Sequence, residues 1–303
     1  MFRIILSLLF VSTASGSLMA AALESAKVTA AVNKVLIAPP EQQAKPAAVG
    51  DVLTGKASLE TGPASRAELT FNDQTIARIG ANSVFSFFRG TRELELNQGV
   101  IFMQVPKNAG GATIQTASVT AAITGTTIAI EYSPASGSSK GAVKILVLEG
   151  TLRVFLKSRP GESLLLEPGQ MIALEPDADR LPEPQVFDIA RLVKTSKLLG
   201  APFAPLASMP LINENILDQA AAKRNGNLII SNYVLHAEIP GGIANFQQNN
   251  NATTLRSFVI PAATPPPAPK PAVTPPPPPP TPPPALPHPS PSPGPTSTGY
   301  PGA

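Results

Sequence analysis

From about residue 49 to residue 175 the apolar residues fall in short runs, divided by turn signals at intervals of roughly eight to twelve residues. Many runs alternate, one side chain apolar and the next polar, which is the two-residue period of a strand. They are Asp51–Thr54, Arg66–Phe71, Thr75–Ile79, Val84–Phe88, Glu93–Asn97 and Gly99–Gln104. Ala112–Thr116, Thr120–Ile123, Thr127–Tyr132, Val143–Glu149, Thr151–Lys157, Ser163–Glu167 and Gln170–Leu174 follow. None carries a convincing 3.6-residue period. The pattern predicts an all-β domain of many short strands, solenoid-like or sandwich-like.

The stretch "SRAELTFNDQTIARIGANSVFSF" fixes a register. Ala67, Leu69 and Phe71 alternate onto one face of the first arm, and Ala77 and Ile79 share a parity on the other arm. A two-residue loop at Asn72-Asp73 would mix apolar and polar faces. A three-residue loop, Asn72 to Gln74, pairs Ala67 with Ile79 and Leu69 with Ala77. It also sets Glu68 opposite Arg78, expected on a solvent-facing side as a cross-strand ion pair. Asn72 and Asp73 then serve as turn formers. Glu149-Gly150 and Pro168-Gly169 are expected as tight turns, and Gly125 as a bulge or corner inside a run of strand formers.

After Pro184 the period changes. Val186, Ile189, Leu192 and Val193 lie at helical spacing, and Lys194, Lys197 and Gly200 are stop signals. A helix is predicted over Gln185–Leu199, its apolar stripe against the β domain. A second is predicted over Ile212–Arg224, stopped by Gly226, and "LIISNYVL" reads as a short strand. Residues 176–200 are thus a linker and helix. Residues 201–260, sparse in apolar residues, form a partly ordered appendix. Residues 261–303 hold 21 of the 36 prolines and one charge, Lys270. Such a tail buries no core and favours polyproline II, about 3.1 Å per residue, so forty residues reach roughly 120 Å. It reads as a disordered Pro-rich spacer, a ligand for proline-binding grooves, or a tolerated tail.

The N-terminus is different again. Arg3 precedes the apolar run Ile4–Val11, and Ala20-Ala21-Ala22 supplies small residues. Residues 1–22 therefore read as a cleaved secretory signal. The apolar run is shorter than the ~20 residues of a spanning helix. Residues 23–48 read as a polar lead-in with one short strand, Lys34–Ile37, and residues 49–175 as the β domain.

The chain has no cysteine, which excludes disulfides, thiol nucleophiles and thiolate metal sites. Its 23 basic and 20 acidic residues form no basic stripe, and it has no Trp. That excludes a nucleic-acid surface. The two histidines, His236 and His288, sit in no metal-ligand spacing, and no G-x-S-x-G elbow or phosphate loop occurs. Asp51 with Glu68 or Asp73 is the remaining carboxylate pairing. Each has a structural role instead, as lead turn, strand face or turn cap. No catalytic, cofactor-binding or metal-binding residue, no cofactor and no small-molecule substrate is therefore expected.

Six motifs occur in the order of a known family: "VGDV", "SRAELTFNDQTIARIGANSVFSF", "LELNQGVIFMQVPK", "IQTASVTAAITGTTIAIEY", "VKILVLEGTLRV" and "LLLEPGQMIAL". Over roughly residues 49–175 the chain resembles the FecR domain family. The resemblance implies a periplasmic, β-rich, non-enzymatic domain, shaped as a twisted stack of short strands. In that family the domain follows a membrane helix and a cytoplasmic anti-sigma segment. Here only Met1, Phe2 and Arg3 precede the apolar run, so the exported module alone is carried over, without sigma-factor control. The resulting expectation is an exported interaction or sensing module of the periplasm or cell envelope. Its partner is an unidentified envelope protein. The alternative is a structural or surface-display protein whose Pro-rich tail spans or anchors in the envelope.

Overall fold

The computed structural model describes residues 22–40 and 42–226, with 228 and 230. Seventeen strands come first: β1 Ala26–Val32, β2 Val35–Ala38, β3 Lys45–Pro46, β4 Val52–Leu53, β5 Ser58–Thr61, β6 Arg66–Phe71, β7 Ile76–Ile79, β8 Val84–Phe87 and β9 Glu93–Gln104. Then come β10 Ala112–Gln115, β11 Val119–Ile123, β12 Thr127–Ser133, β13 Ala142–Glu149, β14 Leu152–Leu156, β15 Arg159–Leu166, β16 Gln170–Leu174 and β17 Gln185–Val186. Two helices follow, α1 Ile189–Thr195 and α2 Met209–Arg224.

The strands form two layers. The first sheet runs β4-β1-β6-β7-β9-β12-β13-β16-β17, antiparallel throughout. The second runs β3-β2-β5-β8-β9-β10-β11-β14-β15, with one parallel pair, β9–β10. Strand β9 belongs to both, pairing with β8 and β10 through its first half and with β7 and β12 through its second. The fold is all-β, as the periodicity predicts, and combines both expected shapes. It is a sandwich in cross-section, while the chain climbs by stepping repeatedly from one layer to the other.

Glycines make those steps. Gly99 has φ +94° in the middle of β9, and a Cβ there would stand 2.5 Å from Ser83 Cα. Only a residue without a side chain lets one strand bend between layers at that point. Gly125, φ +61°, is the corner between β11 and β12, with a register shift beside it. The turns at Glu149-Gly150 and Pro168-Gly169 are also corners. Neither β13–β14 nor β15–β16 is a hydrogen-bonded hairpin, because β13 already lies between β12 and β16.

Between the layers lies one apolar core. Val28, Leu69, Ile79, Ile101, Ile130 and Ile145 enter it from the first sheet, and Leu59, Phe85, Leu94, Ile114, Val119 and Val154 from the second. Each such aliphatic side chain contributes about 2 kcal/mol by leaving water. Phe71 and Phe87 meet edge to face across the layers, with centroids 5.2 Å apart.

The loop register of the opening hairpin is the three-residue one. Ala67 pairs with Ile79, Glu68 with Arg78 and Leu69 with Ala77. The region before residue 49 differs from its expectation. Residues 23–48 supply β1 and β2, which pair with β6 and β5, and Leu23, Ala26, Val28, Val35 and Ile37 are buried. The Lys-Val-Thr-Ala-Ala-Val sequence looks weakly apolar because its outward positions are Lys27 and Thr29. A pairing partner forty residues away makes it a strand.

The first helix is shorter than its apolar spacing predicts. Gln185-Val186 pair with β16 as β17, so the helix starts only after Asp188, whose carboxylate caps Arg191 N–H at 2.8 Å. It ends at Thr195, with Ser196 in extended backbone. The second helix begins three residues early, with Pro210 in its first turn, where a missing N–H costs nothing. It stops at Asn225 and Gly226. Apart from Leu228 and Ile230, which lie in no strand, "LIISNYVL" lies outside the described residues, as do residues 1–21 of the leader and the Pro-rich tail. Among the described residues no helix is long and apolar enough to cross a membrane.

Candidate interaction surface

The outer faces of the two sheets have different fates. The first sheet turns Val100, Phe102, Ala129, Leu146, Leu148 and Met171 outward, and the C-terminal segment covers them with Phe187, Ile189, Leu198, Phe203 and Ile212. This second core explains why every residue of β13 is buried. Residues 201–226 thus contribute more apolar contact than their sparse composition suggests, because Phe203 and Ile212 are each placed on an apolar sheet face and Leu206 is buried as well.

The same cover corrects the expectation for Arg78. Its register partner is Glu68, as predicted, with Nε 2.7 Å from Oε2. The pair is not on a wet face, however, since Arg78 is 1% exposed. Its Nη1 donates to Leu198 O at 3.0 Å, its Nη2 donates to Ala204 O, and its guanidinium lies over the Phe203 ring. Glu68 also accepts from Thr29 Oγ1 at 2.7 Å. A buried cation is tolerated when its donors are all used, and here two are used by main-chain carbonyls of the covering segment.

A polar clasp holds the start of α2. Ser208 donates to Gln104 Oε1 and meets Thr127 Oγ1 at 2.8 Å. Thr127 reaches Glu149 Oε2 at 3.5 Å, and Lys107 Nζ lies 3.8 Å from Glu149 Oε1. Burial pushes the Glu149 carboxyl above its usual range, while Lys107 and the Thr127 hydroxyl pull it down. An amide oxygen is no general base, so Ser208 is tethered rather than activated. Asn215 Nδ2 adds a bond to Leu148 O at 3.0 Å.

The other weighed carboxylates work locally. Asp51 Oδ2 accepts from Ala48 N at 2.9 Å in the turn before β4. Asp73 accepts from Thr75 N and Thr75 Oγ1, and pairs with Arg92. Asn72 joins them as more than a turn former, since its amide bonds Glu24 N and Ala22 O at 3.0 Å and ties down the start of the chain. Nothing in a two-period pattern signals that second use. His236 and His288 lie outside the described residues. Among those described, no group of three or more His, Asp or Glu is placed to hold a metal ion. A shallow cleft beside the β12–β13 hairpin, lined by Ser138, Ser139, Lys140 and Asp177, is open to solvent. The Lys140 ammonium there is held above its usual range by its hydrogen bond and charge contact with Glu175.

Among the described residues, nothing comparable covers the outer face of the second sheet. Glu93 and Glu95 on β9, Thr113 and Gln115 on β10, Thr120 and Ala122 on β11, and Arg153 and Phe155 on β14 are all half-buried or exposed. Their neighbours in sequence point into the core. At the sheet's end, β15 pairs among the described residues only with β14, and its Leu165 is 45% exposed. The sequence pattern predicts alternation on each strand. Only the pairing shows that these outward residues line up as one surface.

Comparison with known proteins follows this geometry. No curated protein matches the chain. Two crystal structures are similar to it, each of a candidate anti-sigma factor from Parabacteroides distasonis ATCC 8503. One aligns over 46% of this chain and 64% of its own, with 14% identity and a TM-score of 0.38. The other aligns over 54% and 75%, with 16% identity and a TM-score of 0.39. The chain therefore spans less than two thirds of the first. Residues 57–153 match the FecR protein family. That span runs from the start of β5 into β14 and falls within the region whose six motifs resemble the same family. From β5 to β14, this chain is similar to FecR.

Proposed function

We propose that the protein is an exported, non-enzymatic interaction or sensing module of the cell envelope, and that it recognises a partner protein on the open face of its second sheet. The observation that carries this reading is the asymmetry of the two faces. The chain uses residues 187–212 to close the first sheet and, among the described residues, leaves the second uncovered. A flat, mixed face with an exposed edge strand beside it suits protein recognition, by face packing or by strand addition. The similarity of β5–β14 to FecR and the secretory pattern of residues 1–22 support the envelope address.

Crosslinking in intact cells tests this. The full chain is compared with one ending at Gly226 and with Gln115→Arg/Thr120→Arg, which loads the centre of the open face with charge. A chain cut at Gly200 is unsuitable, because it loses Phe203, Ser208 and Ile212 and bares the first sheet. Capture of the same partner by the Gly226 chain, and its loss in the double variant, is the expected result. Loss with the tail alone would make the Pro-rich segment the ligand and overturn the reading.

A further inference from the structure

The open face carries a pattern that names one occupant. The cross-strand register aligns six outward residues in a single row. Phe88, whose N–H donates to Glu93 O, is followed by Glu93, Thr113, Ala122, Arg153 and Leu165. The row has an internal antisymmetry. A two-fold axis parallel to the strands, passing between β10 and β11, exchanges its two halves. It sets Ala122 over Thr113, Arg153 over Glu93 and Leu165 over Phe88 of a second copy. Small thus meets small, cation meets anion and apolar meets apolar.

The next row is polar at its centre. Glu95, Gln115, Thr120 and Phe155 are cross-strand neighbours in that order. The same axis sets Gln115 over Thr120 and Glu95 over Phe155, with Arg153 and Lys157 two residues to either side of that ring. Glu93, Arg153 and Lys157 are all exposed. Arg153 is engaged within its own sheet by the Ser163 hydroxyl at 3.3 Å, a contact compatible with a facing carboxylate.

We infer that a second copy of this chain docks on the open face of the second sheet, as a two-fold dimer centred between β10 and β11. The inference rests on the reading of that face as the recognition surface and names its partner. An isologous contact requires one patch to be complementary to itself, and the first row meets that requirement along its whole length. Two sheets packed face to face stand about 10 Å apart, which allows the long Glu and Arg side chains to meet between them. Six strands from β8 to β15, spaced about 4.8 Å, give on the order of 1,000 Å² over both copies. That is the small end of specific interfaces, where association is concentration-dependent.

Sedimentation equilibrium of the purified full chain tests the dimer. A monomer–dimer equilibrium that shifts toward monomer at high salt is expected. Glu93→Arg alone and Arg153→Glu alone should each weaken association at least tenfold, and the two together should restore it. Only a symmetric Glu93–Arg153 contact predicts that rescue. A monomer at every concentration, or a double variant no better than the singles, overturns the inference. Because the chain has no cysteine, Ala122→Cys provides a separate readout. The two thiols of such a dimer stand about 10 Å apart, too far for a disulfide, so a short bis-maleimide should crosslink it, and a thiol that stays monomeric under that reagent also counts against the inference. Capture of an envelope protein that depends on Gln115 and Thr120, by a chain that never self-associates, would sink the dimer and leave the proposed function standing. Face variants that change neither property would sink both.

Discussion

The guanidinium of Arg78 on β7 lies 5.0 Å from the ring centroid of Phe203, in the segment between the two helices. With Leu198 O and Ala204 O as further partners, Arg78 fastens the C-terminal cover to the β layers. Arg78→Ala leaves Glu68 buried without its cation and two carbonyls without a donor. Loss of one member of a buried pair costs about 3 kcal/mol or more. Urea denaturation should show that loss, and limited proteolysis should cut between Lys194 and Lys223 faster than in the native chain. An unchanged cleavage rate would show that Arg78 does not hold the cover.

The corner at Gly99 can be separated from ordinary glycine effects. Gly99→Ala forces a Cβ against Ser83 Cα and Cβ, at positive φ. Gly90 has similar φ, +78°, with nothing near its missing side chain. Gly90→Ala should cost about 1 kcal/mol for the left-handed backbone alone. Gly99→Ala should cost clearly more, about 3 kcal/mol. Equal losses would place the whole effect in the backbone and none in the close approach of β9 to Ser83.

Glu149 gives a pH dependence of definite sign. Burial holds its folded carboxyl above the usual carboxylate range. A raised pKa means that the folded protein holds the proton more tightly than the unfolded chain does. The contribution of this group is therefore fully present below about pH 4.5 and is lost as pH rises through the higher folded value. Glu149→Gln removes that titration. The difference in Tm between variant and native protein should grow in the variant's favour from pH 4.5 to pH 7. A difference independent of pH would mean that Lys107 and Thr127 offset the burial fully.

The core between the layers sets the largest effect. Leu69 and Val147 are 0% exposed and face it from β6 and β13. Leu69→Asp or Val147→Asp buries a carboxylate with no partner and should abolish the cooperative melt followed by circular dichroism. Removal of residues 261–303 should leave the same melt nearly unmoved. A large drop would show that the Pro-rich segment contributes to the fold.

The strands and the register of the opening hairpin were legible in the sequence, because both follow from short-range rules. Side chains alternate along a strand, and a three-residue loop is what keeps Leu69 and Ala77 on one face. The FecR resemblance was legible for a related reason, since its motifs are mostly turns and their flanking strand residues. The absence of a familiar catalytic spacing could likewise be read directly. What alternation cannot say is what lies above a face. Glu68 and Arg78 have the same period-two signature whether water or Phe203 covers them, and the covering residues come from beyond the last strand. The β1 and β2 strands were faint for the same reason, as their partners on β6 and β5 are supplied from later in the chain. Gln185 and Val186 fit a helix by spacing and became a strand because β16 offered a free edge. The open face is likewise a product of pairing. Glu93 and Arg153 are unrelated in sequence, and only the order β9-β10-β11-β14 puts them in one row. Local steric and solvation preferences are written along the chain. Which surfaces become buried, and which stay available to a partner, is decided by long-range packing.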